Sequence, residues 1–490
     1  MTTAPPTLEF TYDISCPFAY IASTRVRALA ARTNATLIYR PVLLGAIYRA
    51  TSAPQGAGGS ASDVFNPAKK AVTGVSMQRT LKRYGIKFNP PPQHPRKTVN
   101  ALRLLYCVAD DGGGEESERA VLTDALFRAY WVQGRDVSDA SVLLEIVKQS
   151  GIKSAPQLSA ASFTDANARK ELETATAEAI SRGAFGVPGF WIPGVEWRDV
   201  EGRSRAGRFF WGQDRMHFVE ATLLSLSSTT TSSSISSSTT NSWTAVPRLQ
   251  SLMPRCTSSK TIPPSSGKVK LEFWFDFSSP WAFLGYTQLS RLQRQFGPSL
   301  QIELKPYLLG ALFREIGAPM VPGLAVSEAK ARWSRQDHAD WVGWWNAVGC
   351  RREEEEEEEE GGWRGKVSVD SACWSHDANV SDDPVLSSVL DKAGYNGAEL
   401  IARANAPAVK DNLRHLTAEA KELGICGVPT YRVLRDSGNG EWKLIGGLVW
   451  GQDEINVVED LIAGWDPERS DEVAEVGKGR FGGGGKEARL

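Results

Sequence analysis

The feature that most constrains the fold is a tandem repeat, in which four stretches of the sequence recur in the same order. The first copy reads LEFTYDISCPFAYIA, YRPVLLGAIYR, AFGVPGFWI and FFWGQDRMHFVE, and the second reads LEFWFDFSSPWAFLG, LKPYLLGALFR, ICGVPTYRV and LVWGQDEINVVE. The period is about 260 residues, which is the size of a whole domain and not of a solenoid unit. A chain of 490 residues is also too long for a single core. The repeat therefore predicts two related domains.

The composition is typical of a globular protein, with 41% apolar and 23% charged residues. The formal net charge is −1, so no basic excess is present to hold a phosphate backbone, and we expect no nucleic-acid partner. No apolar run approaches the roughly 20 residues that a bilayer span needs, so we expect no membrane partner. The first residues, MTTAPPTLEF, resemble neither a secretory signal nor a mitochondrial transit peptide.

Cysteine and histidine usage points to reduced thiols and no metal. The six cysteines form no C-x-x-C pair, and their irregular spacing is typical of an intracellular protein. The five histidines are scattered, and none forms a His/Cys cluster with zinc spacing. We therefore expect no structural disulfide and no metal site.

The domain boundaries follow from the repeat and from composition. We expect the first domain at 7–222 and the second at 269–465, joined by a disordered Ser/Thr-rich linker at 223–268. An acidic low-complexity insert at 351–362 interrupts the second copy, and a flexible tail follows from 466 to 490. The insert is a solvated loop or an error in the gene sequence. Limited proteolysis should cut the linker first and release two stable fragments.

Each copy shows the same order of elements. Strand, helix and strand patterns come first, followed by a helical block, and then two strands and a closing helix. The start is a β-α-β unit, and the last strand pair is entered through a Val-Pro turn. The helical block of the second copy is 22 residues shorter between matching positions, because Cys16 to Pro188 spans 172 residues and Ser279 to Pro429 spans 150.

Cys16 and Ser279 occupy matching places, where a strand turns into a helix that begins with proline. A helix N-terminus offers unpaired N–H groups and about half a positive charge, so it can stabilise an anion such as a thiolate. Serine has no sulfur but can donate its O–H to one. Cys16 could donate weakly to a bound thiolate or form a mixed disulfide with it, but Ala19 leaves it without a C-x-x-C partner. The alternative is a buried structural cysteine.

Both copies resemble the kappa-class glutathione transferases and the related 2-hydroxychromene-2-carboxylate isomerases. The motifs that carry the resemblance are S-P-[YWF]-[AS]-[YWF]-[LI] after a strand, F-G-[VL]-P, and [WF]-G-x-D-R-M. The first copy departs with Cys16 in place of serine, and the second departs with Cys426 in place of Phe and Glu454 in place of Arg. The resemblance implies an α/β chain of two DsbA-like thioredoxin-fold domains. Each would carry a helical insertion, which is shortened in the second.

The resemblance also implies a glutathione site in each copy. The catalytic positions would be Cys16 and Ser279. The cis-proline turn would be Val187 and Pro188 in the first copy and Val428 and Pro429 in the second. The turn for the γ-glutamyl group would be Gln213 and Asp214 in the first copy and Gln452 and Asp453 in the second. The lysine for the glycyl carboxylate would be Lys69 in the first copy and Lys330 in the second. The alternatives are an ordinary turn proline, a helix-capping aspartate and a solvated lysine. The asparagine that the family places upstream of the lysine is not evident in either copy.

The function that the resemblance implies is the conjugation of glutathione, the cofactor, to a small electrophilic substrate, with a possible peroxidase side activity and a role in detoxification. The alternatives are a glutathione-dependent 2-hydroxychromene-2-carboxylate-type isomerase and a thioredoxin-fold relative of the disulfide oxidoreductases without dithiol activity. We expect pairing as a homodimer or as a pseudo-dimer of the two copies. Because its helical insertion is intact, we expect the first copy to carry most of the turnover.

The C-terminal tripeptide, Ala488 to Leu490, follows the small, basic, leucine pattern of the peroxisomal address. A random match of three residues is the alternative, with the cytoplasm or the mitochondrion as the location.

Overall fold

The computed structural model contains two four-stranded sheets with helices packed against them. It describes residues 4–54, 64–109, 117–228, 243–263, 267–353, 373–374, 376–438 and 440–468. Most of the acidic insert, most of the tail with its C-terminal tripeptide, and residues 229–242 of the expected linker lie outside these residues.

The strands have the same arrangement in both sheets, and the orders are β2-β1-β3-β4 and β6-β5-β7-β8. We call them sheet 1 and sheet 2. In each, the first two strands are parallel and the other two pairings are antiparallel. The strands are β1 (Thr7–Tyr12), β2 (Thr36–Pro41), β3 (Gly189–Arg198), β4 (Ser204–Trp211), β5 (Val269–Phe275), β6 (Leu300–Pro306), β7 (Thr430–Asp436) and β8 (Trp442–Trp450).

The helices of the first copy fill the spaces between its strands in the predicted order. They are α1 (Pro17–Arg32), α2 (Leu44–Ala50), α3 (Pro67–Arg83), α4 (Val99–Tyr106), α5 (Glu118–Trp131), α6 (Ala140–Ser150), α7 (Ala166–Ser181) and α8 (Met216–Ser228). Their starts follow ordinary capping chemistry: Asn66, Ser117 and Asp139 each accept backbone N–H groups of the following first turn.

The second copy repeats the pattern with two differences. Its first helix is broken at Gln288, and a single helix of 26 residues runs into the first residues of the acidic insert. The helices are α9 (Pro280–Thr287), α10 (Leu289–Phe296), α11 (Leu309–Glu315), α12 (Glu328–Glu353), α13 (Asp383–Lys392), α14 (Gly397–Ala404), α15 (Pro407–Glu422) and α16 (Ile455–Ile462).

The inner strands β1 and β5 bury nearly all of their side chains. Phe10 and Tyr12 of β1 are fully buried, and the Phe10 ring stacks on Phe190 of β3 at 5.6 Å between centroids. In β5, Phe273 is fully buried and packs against Tyr431 of β7 at 5.4 Å. The β-α-β start and the later β-β-α of the predicted fold class are therefore present in both copies.

The chain forms two compact units, and they do not coincide with the two sequence copies. Unit 1 comprises Met1–Val64, Ile86–Met253 and Val321–Glu355, and unit 2 comprises Phe65–Gly85, Pro254–Met320 and Glu356–Leu490. Unit 1 thus contains α12 of the second copy, and unit 2 contains α3 of the first copy. Each unit takes one helix from the opposite copy, which the continuous ranges expected from the repeat do not anticipate.

The expectation that 223–268 forms a disordered linker is wrong for much of that segment. Residues up to Ser228 continue α8, and five side chains of the segment 243–263 are buried, namely Trp243, Val246, Leu249, Met253 and Cys256. Trp243 is fully buried in unit 1, where its ring stacks on Phe218 at 4.9 Å. Cys256 lies in unit 2, where its backbone N–H donates to the buried carboxylate of Asp460 at 2.8 Å. The apolar and charged residues that follow the Ser/Thr run provide these contacts.

Among the described helices, none is both long enough and apolar enough to cross a membrane.

Candidate functional site

Cys16 is the N-cap residue of α1, at the turn that follows β1. Its thiol is buried and donates a hydrogen bond to the carbonyl oxygen of Val187 at 3.3 Å. The thiol therefore lies beside the residue that precedes Pro188. The structure brings together two parts of the predicted site that are 171 residues apart in the sequence.

Burial raises the pKa of the Cys16 thiol to about 12. The backbone N–H groups of Ala19 and Phe18 lower it by less, and the negative charge of Asp13 raises it further. A thiol with such a pKa stays protonated at neutral pH, so it is a poor nucleophile but remains a hydrogen-bond donor. Of the two roles predicted for Cys16, this favours donation over a mixed disulfide.

Asp13 braces the turn that carries Cys16, and sequence analysis missed it. Its buried carboxylate accepts the backbone N–H of Ser15 at 3.1 Å and of Leu44 at 3.0 Å, and the hydroxyl of Thr98 at 2.8 Å. Burial raises the pKa of Asp13, although these hydrogen bonds lower it. The bond to Leu44 ties the start of α2 to the Cys16 turn.

Asp276 repeats this brace beside Ser279. Its carboxylate accepts the backbone N–H of Ser278 at 2.9 Å and of Leu309 at 2.8 Å. An aspartate three residues before the N-cap in both copies was visible in the sequence as YDISC and FDFSS. That repetition was the available signal for it.

Ser279 is the N-cap residue of α9, and its hydroxyl oxygen accepts the backbone N–H of Ala282 at 3.3 Å. The hydroxyl is buried, and among the described residues no acceptor receives its hydrogen. Ser279 therefore differs from Cys16, whose hydrogen is already donated to Val187. The serine can donate to a ligand atom at the helix N-terminus without breaking a bond within the protein.

The two Val-Pro bonds, Val187–Pro188 and Val428–Pro429, are cis, as predicted from the resemblance. All four residues are buried. Within the described part of the chain, the N–H groups of Val187 and Val428 make no hydrogen bond. The backbone before each proline can therefore bind an extended peptide ligand.

The glycine of each Gly-Val-Pro turn is explained by a tryptophan that lies against it. A Cβ on Gly186 would lie 3.0 Å from the indole nitrogen of Trp211, and one on Gly427 would lie 2.9 Å from that of Trp450. These tryptophans end β4 and β8, so the close approach fixes the Val-Pro turns beside the two W-G-Q-D segments.

The W-G-Q-D segments form matching 3₁₀ turns. Gly212 and Gly451 have φ of 101° and 99°, in the left-handed region that favours glycine. Asp214 lies half-exposed and pairs with Arg215 at 2.8 Å, whereas Gln213 accepts Arg25 through its backbone oxygen at 2.7 Å. In the second copy Gln452 is buried and Asp453 is partly buried, so both side chains are less exposed than Gln213 and Asp214.

The two lysines lie in the opposite units from those expected. Lys330 is on α12 in unit 1, with its ammonium 5.7 Å from the ring of Trp211. Lys69 is on α3 in unit 2, with its ammonium 5.4 Å from the ring of Trp450. Each lysine therefore approaches the W-G-Q-D tryptophan of the other copy. Site 1 combines Cys16 with Lys330, and site 2 combines Ser279 with Lys69.

An aromatic cluster lies beside site 1. The rings of Phe185, Trp211 and Trp333 lie within 4.7 to 5.5 Å of one another. Trp333 belongs to α12, one turn after Lys330. The cluster thus binds the incoming helix to the residues that precede the cis-proline.

Site 2 replaces this cluster with a smaller pair. Cys426 takes the place of Phe185, and Val72 takes the place of Trp333. Burial raises the pKa of Cys426 to about 12, although the positive charge of Lys69 lowers it. Burial lowers the pKa of Lys69, and Cys426 has a smaller opposite effect. The Lys69 ammonium also lies 4.5 Å from the ring of Phe65.

No group of three or more metal-ligating side chains occurs in the part of the chain that the structure describes. The residues at both sites are hydrogen-bond donors, carboxylates and backbone groups, which suit an extended organic ligand with charged ends.

Comparison with known proteins gives a family. A sequence profile described as a DSBA-like thioredoxin domain matches residues 7–224 and 368–463. The chain is 27% identical over 219 residues to the 2-hydroxychromene-2-carboxylate isomerase of Sphingobium xenophagum, a match that covers 44% of this chain and 98% of that protein. It is 23% identical over 222 residues to the glutathione S-transferase kappa 1 of Caenorhabditis elegans, which covers 44% of this chain and 89% of that protein.

Among solved structures, that of a 2-hydroxychromene-2-carboxylate isomerase matches 46% of this chain and 100% of its own, with 22% identity and a TM-score of 0.37. The two matched regions and the two four-stranded sheets confirm the predicted fold class and the predicted resemblance.

Proposed function

The chain belongs to the family of DSBA-like thioredoxin domains, and from that premise we propose that it is a glutathione transferase of the kappa type, which conjugates glutathione to small electrophiles. Relatives named glutathione S-transferase kappa and 2-hydroxychromene-2-carboxylate isomerase support an enzyme of this family. As a transferase or as an isomerase, this chain would use glutathione as the thiol that the site activates.

The observation that carries the proposal is the hydroxyl of Ser279. It lies at the N-terminus of α9, accepts one backbone N–H and retains its own hydrogen for a ligand. Donation to the glutathione sulfur favours the thiolate over the thiol, because the hydrogen bond and the helix dipole both stabilise the anion. The pKa of an ordinary thiol, about 8.5, would then fall toward neutrality, which makes it a usable nucleophile at physiological pH.

The remaining residues of site 2 suit the other parts of glutathione. The backbone N–H of Val428 would bind the cysteinyl carbonyl, and Gln452 and Asp453 would bind the γ-glutamyl group, whose ammonium suits a carboxylate. Lys69, supplied by α3, would bind the glycyl carboxylate. In site 1 the corresponding residues are Val187, Pro188, Gln213, Asp214 and Lys330, and Pro429 is the cis-proline of site 2.

The second substrate would be a small apolar electrophile. Phe277 lies two residues before Ser279 and exposes 41% of its surface, and Trp374 donates its indole N–H to the Phe277 carbonyl at 2.9 Å. Two exposed aromatic side chains beside the thiolate position favour an aromatic or otherwise apolar acceptor. The proposed step forms a bond from sulfur to the electrophilic carbon, and the leaving group departs with the electron pair of the bond that breaks.

We assign most of the turnover to site 2, which reverses the expectation drawn from the intact helical insertion of the first copy. Cys16 would have to give up its bond to Val187 before it could donate to a ligand, whereas the Ser279 hydroxyl needs no such exchange. A thiol is also a weaker hydrogen-bond donor than a hydroxyl.

A glutathione-dependent isomerase is the second candidate, since the isomerase of Sphingobium xenophagum is 27% identical over 98% of its length. The same thiolate would add to a chromene carboxylate and leave again, so glutathione would be regenerated. A thioredoxin-fold relative without dithiol activity is the third, because no C-x-x-C pair is present.

Steady-state kinetics on the full-length protein separates the three. We expect turnover of a chlorinated aromatic acceptor with glutathione, which Ser279→Ala lowers about 10²-fold, the scale of losing one well-placed donor. Cys16→Ser serves as the matched control and should preserve activity. Turnover of a chromene carboxylate alone would favour the isomerase, and no activity with either substrate would favour the third candidate.

The peroxisomal location remains part of this proposal. The tripeptide Ala488 to Leu490 lies outside the described residues, and its pattern is the support for the proposal. A fluorescent fusion with the intact C-terminus should give a punctate signal that deletion of Leu490 abolishes. A diffuse signal from both fusions would contradict the proposal.

A further inference from the structure

Helices α3 and α12 hold matching positions in the repeat but lie in opposite units. Lys69 matches Lys330, and the same offset matches Ser76 with Asp337, Arg79 with Asp340 and Arg83 with Trp344. Each helix packs against the last strand and closing helix of the other copy. The charges on the two helix faces are therefore open to direct comparison at equivalent positions.

In unit 1 an acidic helix face lies against a basic strand and turn. Arg215 makes a bidentate pair with Asp337, with N–O distances of 2.7 and 2.8 Å, and Arg208 of β4 pairs with Asp340. All four side chains are buried. Farther along α12, Trp344 packs among His217, Phe218 and Trp243, and this last surface is aromatic and not charged.

In unit 2 the charges are reversed. Arg79 of α3 donates to the carbonyl oxygens of Gly446 at 2.7 Å and Leu448 at 2.8 Å, and pairs with Glu454 at 3.0 Å. Glu454 is the residue that matches Arg215, and Gly447 matches Arg208.

The end of the helix is also reversed. Arg83 matches Trp344 and pairs with Asp460 at 3.1 Å, with both side chains buried. Asp460 matches Ala221 in the first copy. The basic helix α3 thus packs on an acidic surface. The acidic and aromatic face of α12 packs on a basic and aromatic surface.

We propose that this charge reversal directs each helix to the sheet of the opposite copy and excludes it from the sheet of its own. Sheet 1 therefore accepts α12, and sheet 2 accepts α3. Packing of either helix on the sheet of its own copy is disfavoured.

The exclusion follows from what each helix would meet on its own sheet. With α12 on sheet 2, Asp337 would face Glu454, and Asp340 would face the two carbonyl oxygens that now accept from Arg79. Such contacts pair buried anions with acceptors and leave them without donors.

With α3 on sheet 1, the opposite mismatch arises. Arg79 would face Arg208, and Ser76 would leave the buried guanidinium of Arg215 without its bidentate partner. Arg83 would enter the aromatic surface of His217 and Phe218, where desolvation of an unpaired charge is costly. Packing on the sheet of its own copy is therefore opposed at two positions along α12 and at three along α3.

The test uses an exposed pair that reports where α12 lies. Arg335 of α12 reaches Glu201, with N–O 3.4 Å, and both side chains are exposed. In full-length protein carrying Arg335→Lys, a carbodiimide should couple Lys at 335 to Glu201, and mass spectrometry measures the yield. A separate Arg332→Lys variant, which couples to Glu328 within the same helix, is the matched control for reagent and helix formation.

Two sets of substitutions are then added to the Arg335→Lys protein. Asp337→Ser with Asp340→Arg gives α12 the pattern of α3, and the yield should fall at least tenfold. Arg208→Gly with Arg215→Glu then gives sheet 1 the pattern of sheet 2, and the yield should return to within twofold of its starting value.

The rescue keeps the test decisive even where the first pair of substitutions unfolds unit 1. A yield that stays within twofold of the starting value in the first variant overturns the proposal, because charge would then not direct the helix. A yield that stays low after all four substitutions overturns it as well, because matched charges would then fail to restore the packing.

Discussion

Removing one partner of the bidentate pair between Arg215 and Asp337 should strongly destabilise unit 1, because it leaves a buried charge without its counter-ion. The side chains are 7% and 4% exposed, so they sit almost entirely out of water. Asp337→Asn removes one charge and leaves the guanidinium with Asp214, which is 49% exposed. Breaking a buried pair costs roughly 3–5 kcal/mol, and the remaining partner places the expected loss near the lower end, at about 3 kcal/mol.

Native-state hydrogen exchange measures this loss in the intact protein. A loss of about 3 kcal/mol corresponds to a rise in the opening equilibrium on the order of 10²-fold, since each 1.36 kcal/mol is tenfold. The amides of β4 and α12 should exchange faster by that factor in Asp337→Asn.

The matched control lies on the same helix. Arg332 and Glu328 form an exposed pair, with side chains 53% and 87% exposed, and such pairs contribute well below about 1 kcal/mol. Arg332→Ala should therefore change the exchange of β4 by less than about fivefold. If Asp337→Asn changes it no more than Arg332→Ala does, the pair does not hold α12 in place and the reasoning is refuted.

Three further predictions concern other parts of the chain. Because the pKa of Cys16 is about 12, its alkylation at pH 8 should be on the order of 10³-fold slower than that of an ordinary exposed thiol, and mass spectrometry showing rapid labelling would contradict this. Burial lowers the pKa of His217, so below pH ~6.5 the unfolded chain binds a proton that the folded chain does not. The free energy of unfolding should then fall by up to about 1.4 kcal/mol per pH unit as the pH drops, and a denaturant series should show that His217→Asn removes this slope. Proteolysis within 229–242 should give two fragments that co-elute in size exclusion, because α3 and α12 remain in opposite units; separate elution would count against the exchange.

Much of the fold could be predicted because the repeat and the periodicity depend on local sequence. The strands β1 and β5 and the helices that follow them begin within a few residues of their predicted positions. The two cis-prolines were predicted from the resemblance and are confirmed. Such features depend on residues that are neighbours in the chain or on motifs that recur in both copies.

The exchange of helices could not be predicted, because it depends on pairings across more than 100 residues. Lys69 was expected at the site of the first copy and Lys330 at that of the second, but each lies beside the last strand of the other copy, since spacing along the chain does not tell which sheet a helix packs on. The reversed signs of Asp340 and Arg79, or of Arg215 and Glu454, were visible in the sequence. The signs can be interpreted only once the structure shows that Asp340 pairs with Arg208 and that Arg79 pairs with Glu454.

The extent of the linker was also misjudged, for a different reason. The Ser/Thr run sets the composition of the whole segment, and it conceals the few residues that pack. Trp243 and Cys256 lie just beyond the run, and both are buried. A single large apolar residue after a polar tract is a signal that average composition does not register.

The central claim is that Ser279 converts a bound glutathione thiol into a thiolate. Ultraviolet absorbance of the thiolate, followed against pH with saturating glutathione, measures this directly. We predict that a thiolate band appears near neutral pH on binding to the wild-type protein and to Cys16→Ala. We also predict that Ser279→Ala, which still binds glutathione, returns the apparent pKa toward that of the free thiol. A band of equal size and equal pKa in Ser279→Ala, or its loss in Cys16→Ala instead, would contradict the account.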